Sequence, residues 1–150
     1  MSVVFREAKR EDVPRIVALL VADRLGAERE TEADLGVYLD AFDAIAADPR
    51  NELIVAEVGG AVVGTMQLTY IPGLSRRGSE RLLIEAVRID SILRGQGHGR
   101  AMIDWAVGRA RARGCRLVQL TSDKTRGAAL RFYTSLGFTA SHEGFKLALD

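Results

Sequence analysis

No stretch restricts the fold of this chain more than Leu82–Arg113. An apolar run from Leu82 to Ile89 has the look of a strand, and it leads into Asp90-Ser91-Ile92-Leu93-Arg94-Gly95-Gln96-Gly97-His98-Gly99-Arg100. A helical pattern follows from about Gly99 to Arg113. The loop therefore sets backbone N–H groups at a helix start, where they lack internal partners and the helix dipole is positive. Glycines let that backbone approach a ligand with no Cβ in the way. Such a turn suits a phosphate or pyrophosphate, and Arg94 beside it can pair with one. The same residues also fit an ordinary glycine-rich turn. The spacing Gly-x-Gly-x-Gly is neither a Walker loop, which needs Gly-x-x-x-x-Gly-Lys-Ser/Thr, nor the dinucleotide fingerprint Gly-x-Gly-x-x-Gly.

Length and charge narrow the partners. With 150 residues the chain can build one substantial core and is too short for two ordinary ones, so a single domain over 1–150 is expected. A net charge of +1 gives no argument for nucleic acid or a membrane surface. No apolar run approaches a membrane span, and Met1-Ser2-Val3-Val4-Phe5-Arg6 lacks the apolar core of a signal peptide. A cytoplasmic location is the expectation. Cys115 is the only cysteine, which excludes an internal disulfide or a cysteine metal cluster. His98 and His142 form no spaced ligand set, so no metal is expected.

Taken in order, Val3–Ala8 reads as a first strand. Val13, Ile16, Val17 and Leu20 fall at helical spacing, with Glu11, Asp12 and Pro14 suited to a helix start. The polar stretch Asp23–Glu30 breaks that helix. Thr31 can cap a second, in which Leu35, Tyr38, Leu39, Phe42, Ile45 and Ala46 recur at three and four. The period then changes. Glu52–Val58 and Ala61–Tyr70 read as strands joined at Gly59-Gly60, and Ile71–Ser79 as an exposed loop. Arg81–Ile89 is the strand feeding the glycine loop. Met102, Ile103, Trp105, Ala106, Val107 and Ala110 give the next helix an apolar face, and Gly114 suits its stop. Arg116–Thr121 reads as a strand, Thr125–Leu136 as a helix ended by Gly137, and Phe138–Ala140 with Phe145–Leu149 as a closing hairpin.

Two motifs point to one family. Arg94-Gly95-Gln96-Gly97-His98-Gly99 resembles the pyrophosphate-binding loop of the GNAT acetyltransferase superfamily, Arg/Gln-x-x-Gly-x-Gly/Ala. Ala129-Leu130-Arg131-Phe132-Tyr133-Thr134-Ser135-Leu136-Gly137-Phe138 resembles its second hallmark, Ala-x-x-Phe-Tyr-x-x-x-Gly-Phe. They stand in the family's order, and the resemblance covers most of the chain from about Val3 to Leu149. It implies an α/β (α+β) GNAT fold: a mixed, mostly antiparallel central sheet, about four flanking helices, and a fourth strand splayed from the fifth.

The resemblance also implies a chemistry, acetyl transfer from acetyl-CoA to a primary amine in a ternary complex, and commonly a homodimer. A small-molecule acceptor is expected. Protein N-terminal or lysine acetylation, and a non-catalytic acyl-CoA sensor, are the alternatives. Backbone N–H groups near Val87 and Ile89 would hold the pantetheine arm and polarise the acetyl carbonyl. The backbone from Leu93 to Gly99, with Arg94 and Arg100, would face the pyrophosphate. Tyr133 matches the family tyrosine near the coenzyme sulfur, and a phenol, titrating at about 10, can give a proton to the departing thiolate. The alternative is a packing tyrosine that only positions the coenzyme. Glu85 is the candidate base, because Ile84-Glu85-Ala86-Val87-Arg88-Ile89 resembles the Ile-Glu-Asp-Val-x-Val strand of amino-sugar acetyltransferases. A carboxylate in an apolar strand needs a cavity or a partner, and an ion pair with Arg88 or another arginine is the competing reading. Asp123 could orient the amine, and Arg76 could stand at the mouth of the acceptor site. Two departures from the family pattern are Arg126, where an asparagine often contacts the pantetheine arm, and Ala86, where a second carboxylate is usual. Cys115 reads as a small buried residue, since direct attack needs no covalent intermediate.

Overall fold

The structure is a computed structural model that describes residues 2–23 and 25–149. Arg24, within the polar break Asp23–Glu30, lies outside the described residues, as do Met1 and Asp150. The chain divides into two compact units, Met1–Gln119 and Leu120–Asp150.

In the first unit the elements run β1 (Val3–Glu7), α1 (Val13–Val21), α2 (Gly26–Arg29), α3 (Leu35–Ala47), β2 (Asn51–Val58), β3 (Ala61–Pro72), α4 (Ser75–Gly78), β4 (Glu80–Ile89), α5 (His98–Arg113) and β5 (Leu117–Leu120). The five strands form one sheet in chain order, the first four antiparallel and β5 parallel to β4. Four helices, counting α6 of the second unit (Gly127–Ser135), have nine or more residues. The mixed sheet and its helices match the fold expected from the sequence.

Local chemistry explains the boundaries. Asp12 accepts the Lys9 backbone N–H at 2.7 Å and pairs with Arg6, closing the entry to α1. Helix α1 then buries Val13, Ile16, Val17 and Leu19. Thr31 does not cap α3: its hydroxyl accepts from Ala33 N–H at 3.0 Å, and the helix begins four residues later, at Leu35. That local bond offers the backbone an alternative to the helix. The Ile71–Ser79 loop is shorter than expected, because β3 runs on to Pro72. What remains is the single turn α4, in which Arg76 and Arg77 adopt positive φ (55° and 62°).

Helix α5 packs on one face of the sheet. Met102, Ile103, Ala106 and Ala110 are buried there, and Trp105 stacks on Phe5 with centroids 5.4 Å apart. Glu52 joins it to the strands, accepting from Tyr70 at 2.7 Å and pairing with Arg109.

Within the second unit, α6 ends in a Schellman cap. Gly137 has φ 96°, its N–H donates to Thr134 O, and Phe138 N–H donates to Tyr133 O, both at 3.1 Å. The expected closing hairpin is absent from the described residues. Phe138–Ala140 and Phe145–Leu149 pair with no strand, and Phe145, Leu147 and Leu149 are exposed. Ser141 N–H donates to Thr139 O at 2.9 Å, a tight turn that bends the chain straight after the first of these segments. A lone two-stranded hairpin is in any case marginal.

Candidate active site

Strand β4 carries a bulge at Ala86. Thr65 stands opposite Arg88 and Gln67 opposite Glu85, so Ala86 and Val87 together oppose Met66. Ala86 takes φ 54°, which costs an L-residue about 1–2 kcal/mol. In a regular strand, residues three apart point to opposite faces. The extra residue puts Glu85 and Arg88 on one face, the face of Thr65 and Gln67. Arg88 then reaches Asp23 at 3.6 Å, and both are largely buried. Glu85 is exposed and makes no ion pair among the described residues, so the Arg88–Glu85 pair is not formed.

Beyond the bulge the backbone is available on its outer side. Asp90 N–H donates to Val63 O at 2.8 Å, so by ladder alternation Ile89 and Val87 turn their N–H groups away from β3. Strand β5 enters beside Glu80, where Arg116 N–H meets Glu80 O at 3.0 Å, and it lasts four residues against ten in β4. It therefore ends about level with Glu85, leaving 86–89 of β4 with β3 on one side and no described strand on the other, which is the splay expected of the fourth and fifth strands.

The strand then delivers the chain to the glycine loop. Asp90 accepts Ile92 N–H at 3.1 Å and Arg15 at 2.7 Å, and these bonds hold its carboxyl below the usual carboxylate range. Gly95 and Gly97 have φ 81° and 83°, and a Cβ on either would meet open space. Gly97 is the N-cap of α5, which opens with His98, Gly99 and Arg100. Arg94 and Gln96 are exposed beside it, and Arg100 is spanned by Asp104 at 3.9 Å on the exposed helix surface. This is an uncluttered helix N-terminus with two arginines at hand, and it fits a pyrophosphate.

On the Glu85 face lies a cavity of about 120 Å³ between α1, α3 and the sheet, with Gln67 and Ala86 in its wall. Arg76 sits in the β3–β4 connection, at the opposite end of β4 from the glycine loop. Cys115 is half-buried. Burial first, then nearby Glu80, pushes its thiol up, as befits a residue with no nucleophilic task.

In the second unit, Tyr133 is half-buried on α6 with Phe132 and Phe138 at 5.1 and 5.9 Å, both edge-on. The Schellman cap explains the spacing Tyr-x-x-x-Gly-Phe: the glycine supplies the left-handed residue, and the two aromatics make the cap's apolar contact. Asp123 takes up Thr125 N–H at 2.9 Å and its hydroxyl at 2.6 Å, a local turn ahead of the helix. Arg126 is the half-buried N-cap residue of α6.

The family model for GNAT acetyltransferases matches residues 8–138. The chain belongs to the GNAT family. An aminoalkylphosphonate N-acetyltransferase of Salmonella typhimurium is 31% identical over 144 residues, covering 96% of this chain and 90% of its own. A glucosamine 6-phosphate N-acetyltransferase of Trypanosoma brucei brucei is 36% identical over 90 residues, 60% of this chain and 59% of its own. Among solved structures, a Bacillus halodurans C-125 protein described as a transcriptional regulator superposes with TM-score 0.95 at 47% identity, covering 99% of this chain and 100% of that one.

As a GNAT enzyme the protein is an acetyl-CoA-dependent N-acetyltransferase. The bulge at Ala86, Gln67 across from Glu85, and the cavity beneath α3 were not foreseen in the sequence. An alanine at φ 54° leaves no compositional trace, and cross-strand partners cannot be read without the register. Among the described residues, no group of three or more His, Cys, Asp or Glu is placed to hold a metal, and no helix is long and apolar enough to cross a membrane.

Proposed function

We propose that this GNAT enzyme acetylates the primary amine of a small molecule by direct attack. The observation that carries the proposal is Glu85, a carboxylate with no ion pair among the described residues, on the cavity face of β4, one residue before the bulge that turns the Val87 and Ile89 N–H groups outward. Acetyl-CoA supplies the activated acyl group. The loop Leu93–Gly99, with Arg94 and Arg100, grips its pyrophosphate, and Arg126 is assigned to coenzyme binding. Glu85 takes a proton from the ammonium, directly or through water. The freed nitrogen bonds to the acyl carbon, and the Val87 and Ile89 N–H groups stabilise the resulting oxyanion. As the carbon–sulfur bond breaks, Tyr133 gives its proton to the sulfur, and the nitrogen's surplus proton passes to the tyrosinate, which leaves a neutral amide and a neutral phenol. Asp123 and Arg76 are assigned to acceptor orientation. Arg76 stands in the β3–β4 connection, outside the cavity lining, and the Asp123 carboxylate is occupied by Thr125.

The match across residues 8–138 spans both compact units and supports one functional domain. A cytoplasmic homodimer is the proposed assembly. Light scattering at the monomer mass throughout the micromolar range would refute it.

The test is coenzyme A thiol release over a panel of amines, polyamines and peptides, with the acetylated product identified by mass. Turnover on small amines is expected. Turnover on peptides alone would replace the proposal with protein acetylation. Tyr133→Phe keeps the ring and should lower kcat by about 10²–10⁴-fold with acetyl-CoA binding intact. A variant that instead keeps kcat and loses acetyl-CoA affinity would make Tyr133 a positioning residue.

A further inference from the structure

The cavity on the Glu85 face has its own chemistry. Its wall is made by Val17 and Leu20 of α1, Phe42 and Ile45 of α3, and Gln67 and Ala86 of the sheet. Among the described residues, no lysine or arginine lines it. Arg88, on the same face, is committed to Asp23. An anionic phosphonate or phosphate seated here would lose its water with no cation in return, and the Glu85 carboxylate would repel it. The polar side chains of the wall are Tyr38, Thr65 and Gln67, and Glu85 stands beside the wall, opposite Gln67 and next to Ala86.

Helix α3 shows that the space is kept open. It has thirteen residues at amphipathic spacing, yet none is buried. Its first turn is tied to the preceding loop: the Tyr38 hydroxyl accepts Thr31 N–H at 3.0 Å and donates to Glu30 at 3.1 Å. The volume, about 120 Å³, approaches the roughly 150 Å³ of an apolar cavity that admits benzene.

We infer that this cavity seats the apolar body of the acceptor, an amine bearing a branched alkyl or single aryl group whose nitrogen lies at Glu85. The inference rests on the N-acetyl-transfer proposal and separates this enzyme from relatives named for phosphonate- and phosphate-bearing amines. Phe42 and Ile45 become its specificity residues. Filling such a pocket is worth about 10–200-fold in discrimination.

The experiment compares kcat/KM for 3-methylbutylamine and benzylamine with that for 2-aminoethylphosphonate and glucosamine 6-phosphate. The apolar amines should lead by at least about tenfold. Ala41→Phe alters an exposed residue at the cavity edge, so it should leave folding and the acetyl-CoA thermal shift unchanged while erasing that lead. Preference for the phosphorylated amines, or an apolar lead untouched by Ala41→Phe, would overturn the inference. If no amine is turned over, the transfer proposal fails, and binding decides the cavity separately. Benzylamine should raise the melting temperature of the parent and not of Ala41→Phe, whereas an equal effect on both, or on neither, would refute the site.

Discussion

Helices α3 and α5 cover opposite faces of the same sheet and differ in every physical respect that matters. Helix α5 buries Met102, Ile103, Ala106 and Ala110, stacks Trp105 on Phe5, and ties Arg109 to Glu52. Helix α3 has half-buried residues, such as Phe42 and Ile45, but none fully buried, and it stands over a cavity. One face is sealed with native packing and carries the fold, and it also holds the α5 N-terminus rigid under the glycine loop. The other holds α1 firmly, with Val13, Ile16, Val17 and Leu19 buried, and is loose only beneath α3, where the proposed acceptor would enter and leave. Low local stability at a binding face and high stability behind it is the arrangement a ligand-exchanging enzyme needs.

The sharpest way to break this division is to remove chemistry from the loose face. Glu85→Gln should lower kcat by about 10²–10⁴-fold, with no loss of stability, since the exposed carboxylate holds no partner among the described residues. The defect should shrink as pH rises and more amine is neutral. A pH-rate profile with a constant defect would remove Glu85 from the role of base. Next in size are two matched truncations followed by urea unfolding. Met102 is fully buried, so Met102→Ala should cost about 2–5 kcal/mol. Ile45→Ala, half-buried on α3, should cost less than about 1 kcal/mol, because the space it leaves joins an existing cavity. Equal costs would mean that α3 is as firmly packed as α5.

The smallest expected effect sharpens the sealed face. Burial pushes the Glu52 carboxyl up, but the bonds from Arg109 and Tyr70 outweigh it, and the net direction is down. A depressed carboxylate stabilises the fold above its unfolded value, about 4.3, and that contribution is lost as pH falls through the folded value. Glu52→Gln should therefore cost about 1–2 kcal/mol near neutrality, trimmed by screening because Arg109 is 41% exposed. The gap in Tm should close towards acid pH. A gap that widens there would reverse the assigned direction. Tyr70, pushed up to about 12 by its burial and by Glu52, stays neutral throughout.

How much of this was legible follows from how local each signal is. Gly95, Gly97 and Gly114 are demanded by positive φ at a loop and a helix end, and the sequence announced them. Gly137 and Phe138 likewise announced a cap, and with it Tyr133. The strand–loop–helix frame of the coenzyme side could thus be read directly. The bulge could not, because Ala86 occupies a backbone region that glycine would have flagged. Nor could the difference between α3 and α5, since both show helical periodicity and only tertiary packing separates a buried face from a half-exposed one. Thr31 misled because a capping residue serves a local turn equally well. The closing hairpin misled because alternation gives a strand its faces, not its partner.

The measurement closest to the central claim is the thermal shift produced by acetyl-CoA. At about 100 times Kd, binding should add roughly 2.7 kcal/mol, or about 5–10 °C for a domain of this size. Free coenzyme A should give much of it, and NAD none. Gly97→Val forces a β-branched side chain into φ 83° at the N-cap of α5, where the pyrophosphate would sit. Its own Tm falls with the strain, but the readout is the shift, which should vanish in a variant whose circular dichroism remains that of the folded chain. An undiminished acetyl-CoA shift in folded Gly97→Val would contradict coenzyme binding at this loop.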